Sequence, residues 1–345
     1  MTLAEWVLVL TWIGVTAYAL LGGADFGAGI WDLVAGGERR GRAERALIEH
    51  AIGPVWEANH VWLIFVLVIL WTAFPAVFAA VASTLYVPLT LVAFGVIARG
   101  AAFAFRKAIP EVAAKRLFGA AFAFSSLVTP FFLGTVAGAM ASGRVPPGSA
   151  RGDPLTSWWN PTSVLGGAMA VGVCAYLAAV YLTADAERAG QAALAERFRR
   201  RALGTGVAVG ALALAGIGVL AADAPRLYQG LTGRALPLIV ASAAFGLASL
   251  ALLWRRRFLT AVRVTAACAV VAVVWGWAVG QYPYMLAPDV TIAAAAAGRA
   301  TLQAMLAALG VGAVLLVPAL AWLFILFQRT DPPRAAHPTR HPQGS

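Results

Sequence analysis

The sequence predicts an all-α integral membrane protein of nine transmembrane helices, and three observations carry that expectation. The 345 residues are 61% apolar and only 12% charged, about half the charged share of a soluble domain, and mean hydropathy is +0.80. The apolar residues fall in nine runs, each long enough to cross a hydrocarbon core ~30 Å thick at 1.5 Å per residue. The basic residues are sorted between alternate loops, as positive charge is when it orients a membrane protein. A water-soluble globule is excluded because the chain cannot cover its surface with charge. Disorder is excluded because it needs few apolar residues and many charges.

The first run, about 4–31, contains Gly22-Gly23-Ala24-Asp25-Phe26-Gly27-Ala28-Gly29. No strand precedes these glycines, so a nucleotide-binding loop is not expected. The G-x-x-x-G at Gly23 and Gly27 fits close helix packing instead. The second run, 51–73, has a polar start, where Glu57, Asn59 and His60 stand, and is the run that most needs an independent test. The third, 78–105, carries Arg99, and the fourth covers 117–142. A Gly- and Pro-containing connector, 143–160, leads to the fifth run, 161–183. The others are 202–222, 236–254, 261–281 and 299–327. Tryptophans at 6, 31, 71, 158, 159, 254 and 322 stand near run ends, as interfacial anchors do. These runs give one polytopic membrane domain over residues 1–327, with helices 1–4 in roughly 4–142 and helices 5–9 in roughly 161–327. Residues 328–345, rich in proline, read as a disordered cytoplasmic tail. The N-terminus has no basic region ahead of the first run, so no removable signal peptide is expected.

Loop charge tests the count. With the N-terminus outside, one side collects 20 of the 26 Lys and Arg residues, among them Arg39, Arg45, Lys107, Arg199, Arg256 and Arg329. The other side holds Arg144, Arg151, Arg226, Arg234 and Arg299, and Arg99 lies within a run. Omitting the second run destroys the alternation. The expected orientation is N-terminus outside and C-terminus cytoplasmic. The net charge of +11 is thus a topological signal, and no nucleic-acid partner is expected.

Ionisable groups at membrane depth are costly and point to function. Asp25, Glu57 and Arg99 each lie about six residues, or roughly 9 Å, from the inner end of their helix. Consecutive helices tend to be neighbours, so two carboxylates and one guanidinium are expected at one level. Such a group would hold a proton or a monovalent cation, since an uncompensated buried carboxylate takes up a proton. The competing expectation is that Arg99 neutralises one acid while the other reaches the headgroups. For His60 taken alone, a hydrogen-bonded packing role is the simpler reading.

Redox cofactors are bounded by the donor count. His337 and His341 are in the tail, leaving His50 and His60 near the inner end of the second run. Membrane haems need His, Met or Cys ligands facing each other across a bundle, and this chain lacks that set. Cys174 and Cys268 both lie in apolar runs, so neither a disulfide framework nor a Cys-rich metal site is expected. No directly bound cofactor, no metal site and no catalytic residue are expected in this chain.

The segment Gly53-Pro54-Val55-Trp56-Glu57-Ala58-Asn59-His60-Val61-Trp62-Leu63-Ile64-Phe65 closely resembles the second helix of subunit II of the cytochrome bd-type quinol oxidases. The Gly22–Gly29 turn around Asp25, and Arg99 followed by Phe105-Arg106, are also similar to that family. The resemblance covers the whole length. It implies nine spans built as two four-helix bundles plus one peripheral helix. It implies a heterodimer in a bacterial inner membrane with a larger subunit I, which holds two b-type haems and haem d and forms the quinol site. A small single-helix accessory subunit, membrane lipid and quinone are further partners it implies. Subunit II would then shield the haems and help conduct protons or oxygen to a centre that oxidises quinol and reduces dioxygen to water. Asp25, Glu57 and Arg99 match a charged cluster of that subunit. Trp62 matches a tryptophan near an oxygen route, with Trp56, Asn59 and His60 as supporting residues. Two acids found in some members are Gly22 and Ala104 here, so a proton path that depends on them lacks its residues.

A different class, a secondary transporter with Asp25, Glu57 and Arg99 as its coupling site, is the alternative. Transporters usually break helices near the midplane at two matching places. Here the charged residues sit near one face, and the second half has no equivalent acid within a run.

Overall fold

The computed structural model describes residues 1–37, 41–52, 56–108, 112–256 and 259–329. Helix α1 (Leu3–Ala17) is capped by Thr2, whose Oγ1 accepts from the Glu5 amide while the Glu5 carboxylate accepts from the Thr2 amide. That reciprocal pairing satisfies two donors that a helix start leaves over. The chain passes through a π-helical turn (Tyr18–Gly22) into α2 (Gly23–Leu33), so the first apolar run is one element of 31 residues with a wide turn inside it. A short helix α3 (Arg42–Ile52) precedes α4 (Trp56–Ala73). At Phe74 (φ −134°, ψ 55°) the path bends by 117° into α5 (Pro75–Thr84). Pro75 opens α5 without cost, since the first helical position has no use for an N–H. Helices α6 (Tyr86–Ala108) and α7 (Val112–Ala141) follow.

The second half repeats this plan. Helix α8 (Pro161–Arg188) is capped by Asn160, whose Oδ1 accepts from the Ser163 amide at 2.9 Å. Helix α9 (Ala192–Asp223) ends at Ala224 (φ −136°, ψ 60°), and Pro225 opens α10 (Pro225–Thr232). Helices α11 (Leu236–Trp254) and α12 (Leu259–Gln281) complete the half. A small antiparallel pair, β1 (Tyr284–Leu286) and β2 (Val290–Thr291), then α13 (Ile292–Ala295), lead to α14 (Arg299–Arg329).

Among the described residues, seven helices are long and apolar enough to cross a membrane, and the bent pair α4–α5 would make eight. This is a multi-pass, all-α membrane protein. The expected third span, 78–105, is not one helix. It is divided at Leu85 (φ −104°, ψ 28°), so its start belongs to α5, and the described apolar part of α6 is Tyr86–Ala102. Mean hydropathy does not register a backbone bend, which is why the run looked continuous. The expected tail from 330 onward lies outside the described residues.

Helices α2, α7 and α8 pack against one another through small residues. A Cβ on Gly27 would overlap the Cys174 carbonyl of α8, and Gly134 and Gly138 of α7 face Gly166 and Ser163 in the same way. Small residues let backbones approach where lipid supplies no hydrophobic drive. At one end of the molecule Glu44, 1% exposed, takes ion pairs from Arg197 and, at 2.8 Å, from Arg201, while Arg45 meets Asp32 at 3.2 Å. At the other end Arg144 donates to both oxygens of Asp223 (2.9 and 2.5 Å), which also accepts from the amide and hydroxyl of Thr162. The Asp223 carboxylate raises the Arg144 guanidinium above its ordinary pKa.

Candidate functional site

The first two turns of α2 are buried on almost every face, and Asp25 among them is 4% exposed. Glycines at 23, 27 and 29 make this possible, because neighbouring helices can close around a polar residue only where no side chain holds them off. Gly29 faces Ser126, where a Cβ would overlap the hydroxyl. Arg99 of α6 enters the same interior and is 1% exposed. Its Nη2 donates to Asp25 Oδ1 at 2.7 Å and to the Asp25 backbone carbonyl at 2.9 Å. Its Nη1 donates to Ser126 Oγ on α7, and that hydroxyl donates to the Phe122 carbonyl at 2.6 Å. The guanidinium lies 4.2 Å from the Phe122 ring centroid and 5.0 Å from that of Phe26. Two aromatic faces partly replace the solvation that burial removes. The pair is formally neutral, which is how a buried charge is tolerated.

Helix α4 supplies the next layer. The His60 ring stands edge-on to Tyr18 (centroids 6.2 Å apart) and to Phe26 (5.9 Å), and Tyr18 stands edge-on to Phe26 at 6.2 Å. Asn59 is buried and donates from Nδ2 to the Leu21 carbonyl at 3.3 Å, inside the π-helical turn. Trp62 is half-buried and packs edge-on against Phe65 at 5.9 Å. The side chains of Glu57 and Trp56 lie outside the described residues. The structure therefore joins Asp25 to Arg99 and sets Asn59 and His60 beside them, on three different helices.

Sequence reasoning missed Tyr18, Phe26, Phe122 and Ser126, which enclose the pair. Ser125, Ser126 and Thr129 form a cluster of hydroxyls within an otherwise apolar run, and their side chains are all buried. That cluster was the available signal. It also missed the Glu44 network, because its arginines were read only as topological charge.

His60 is half-buried against two aromatic rings, His50 is exposed on α3, and among the described residues no group of three His, Cys, Asp or Glu side chains comes together.

The chain is similar to subunit 2 of the cytochrome bd ubiquinol oxidase of Bacillus subtilis, with 31% identity over 128 residues, 37% of each chain. It is also similar to subunit 2 of the cytochrome bd-I ubiquinol oxidase of Escherichia coli, with 30% identity over 138 residues, 40% of this chain and 35% of that one. The matched part thus spans little more than a third of these relatives' length. Over 95% of its length the chain superposes on 99% of a chain of the bd oxidase from Geobacillus thermodenitrificans, with a TM-score of 0.73 and 24% identity, a likeness of fold. The family model of cytochrome bd terminal oxidase subunit II matches residues 3–327, and the chain belongs to that family.

Proposed function

We propose that this chain is the non-haem subunit of a cytochrome bd-type terminal oxidase, which oxidises quinol and reduces dioxygen to water. The observation that carries this reading is the family match over residues 3–327. The haems are held by a larger partner, subunit I, in a heterodimer. That partner's two b-type haems and haem d would supply the redox chemistry. In this reading residues 1–327 form one membrane domain of nine spans, arranged as two four-helix bundles and a peripheral helix. The N-terminus is outside and the C-terminus is in the cytoplasm of a bacterial cell. Quinone, lipid and a small single-helix subunit complete the assembly.

Within this chain, Asp25, Arg99 and Glu57 form a charged cluster that holds a proton or a monovalent cation at the inner end of the first bundle. Arg99 fixes one carboxylate, and the second then titrates without leaving an uncompensated charge. Asn59 anchors α4 to the π-helical turn, and His60 packs against Tyr18 and Phe26 beside the pair. No observation favours the transporter alternative.

The test is co-purification. The chain tagged and expressed with its neighbouring large-subunit gene should pull down a complex whose absorbance spectrum shows b- and d-type haems and which consumes oxygen with quinol. A tagged chain that purifies alone from cells expressing both genes, without haem, would remove this reading.

A further inference from the structure

Tyr18, Gly22 and Asp25 follow one another at i, i+4 and i+7, one face of the first transmembrane element. The middle position has no side chain, and the Tyr18 ring occupies the space one would need. A Cβ on Gly22 would stand 2.8 Å from Tyr18 Cε2. The turn that carries these residues is π-helical, a form that occurs mostly as single turns at functional sites. Lying along its own helix, the ring carries the Tyr18 hydroxyl into electrostatic range of both Asp25 and Arg99.

Three buried polar atoms remain here without a hydrogen-bond partner among the described residues: Tyr18 Oη, Asp25 Oδ2 and Arg99 Nε. Their chemistries are complementary. Asp25 Oδ2 accepts, Arg99 Nε donates, and the Tyr18 hydroxyl does either. Two of them belong to the charge pair itself, and the Phe26 ring contacts both Tyr18 and Arg99. Buried polar groups in native proteins are satisfied, and a small molecule with two or more polar partners is the usual means when side chains do not reach each other.

We propose that Tyr18 Oη, Asp25 Oδ2 and Arg99 Nε together hold one buried water molecule, with Tyr18 as the residue that positions it. This rests on the reading of Asp25 and Arg99 as a proton-holding cluster and deepens it. The water receives a hydrogen bond from Arg99 Nε, donates one to Asp25 Oδ2, and shares its remaining valence with the tyrosine hydroxyl. The water then carries a proton past the Asp25–Arg99 pair along existing hydrogen bonds, with the ion pair intact and no side chain moving. The Tyr18 ring, wedged over Gly22, keeps the hydroxyl on the water and the site closed.

The experiment is a high-resolution map of the assembled oxidase complex, wild type and Tyr18→Phe, with oxygen uptake and the infrared band of the Asp25 carboxylate recorded for both. The wild type should show density within hydrogen-bond distance of all three atoms. Tyr18→Phe should lose that density, shift the carboxylate band, and slow oxygen uptake about three- to tenfold at normal haem content, the rate equivalent of one hydrogen bond. A wild-type map without that density overturns the proposal. So does a Tyr18→Phe complex that keeps the density, the band and the full rate. If Tyr18→Phe fails to assemble, the wild-type map still decides. Asp25→Asn separates the two readings: full oxygen uptake in that variant removes the proton-holding cluster itself, whatever the map shows.

Discussion

Arg99 grips Asp25 twice with a single nitrogen, Nη2, which donates to the carboxylate Oδ1 at 2.7 Å and to the backbone carbonyl of the same residue at 2.9 Å. The carbonyl bond fixes where α2 stands relative to α6, so charge pairing and helix position are one feature. With Nη1 committed to Ser126, the guanidinium ties three helices at a single level.

Arg99→Ala is expected to prevent stable assembly. Removing one member of a buried pair leaves the other uncompensated, at a cost of about 3–5 kcal/mol. Arg99→Lys should recover only part of this, because an ammonium cannot span Asp25 and Ser126 in the fixed geometry of a planar fork. Haem content of the purified complex and its melting temperature in detergent measure both, and a normal yield of Arg99→Ala complex would contradict the expectation.

Glu57→Gln keeps shape and removes one titratable proton. The complex should assemble with full haem content and lose most of its oxygen uptake, because Asp25 is already committed to Arg99. If the variant consumes oxygen at the wild-type rate, Glu57 is scaffolding.

Gly27→Ala should destabilise the subunit by about 1–3 kcal/mol, the range for inserting a methyl group into a packed interior. Its Cβ would overlap the backbone carbonyl of Cys174, which has no rotamer with which to move aside. Gly246→Ala is the control, since nothing stands within 4 Å of a Cβ there. Comparing the two melting temperatures checks the claim, and equal values would refute it.

Glu44→Ala should cost about 1–2 kcal/mol, between the value of a surface pair and that of a buried one. The carboxylate is buried, but Arg197 is half exposed and returns to water when its partner is lost. The readout is a lower melting temperature, largely insensitive to salt if Arg201 supplies most of the effect.

A reporter fused to the C-terminus should be active in the cytoplasm, and one inserted in 143–160 should be active outside. The asymmetry of loop arginines is the ground for this expected orientation. Reversed signals would overturn the nine-span arrangement.

The sequence by itself determined the class of protein and most of its spans, because apolar length and loop charge are local quantities. It also marked Asp25 and Arg99, since a charge within an apolar run stands out without any knowledge of neighbours. It did not determine where spans bend. The 117° turn at Phe74 and the break at Leu85 are backbone events that hydropathy averages over, so 78–105 read as one helix. Nor did it determine the partners of the charged pair. Ser126, Phe122, Phe26 and Tyr18 are ordinary residues of apolar helices, and only the close approach of α2, α6 and α7 gives them a role. Arg197 and Arg201 show the same division: their sign carries an expected topology in the sequence alone, while their pairing with Glu44 arises from α3 folding back against α9. Hydrophobicity is a property of each residue and sums along the chain, whereas a buried hydrogen bond needs two groups from distant segments within about 3 Å, which only the packed helices decide.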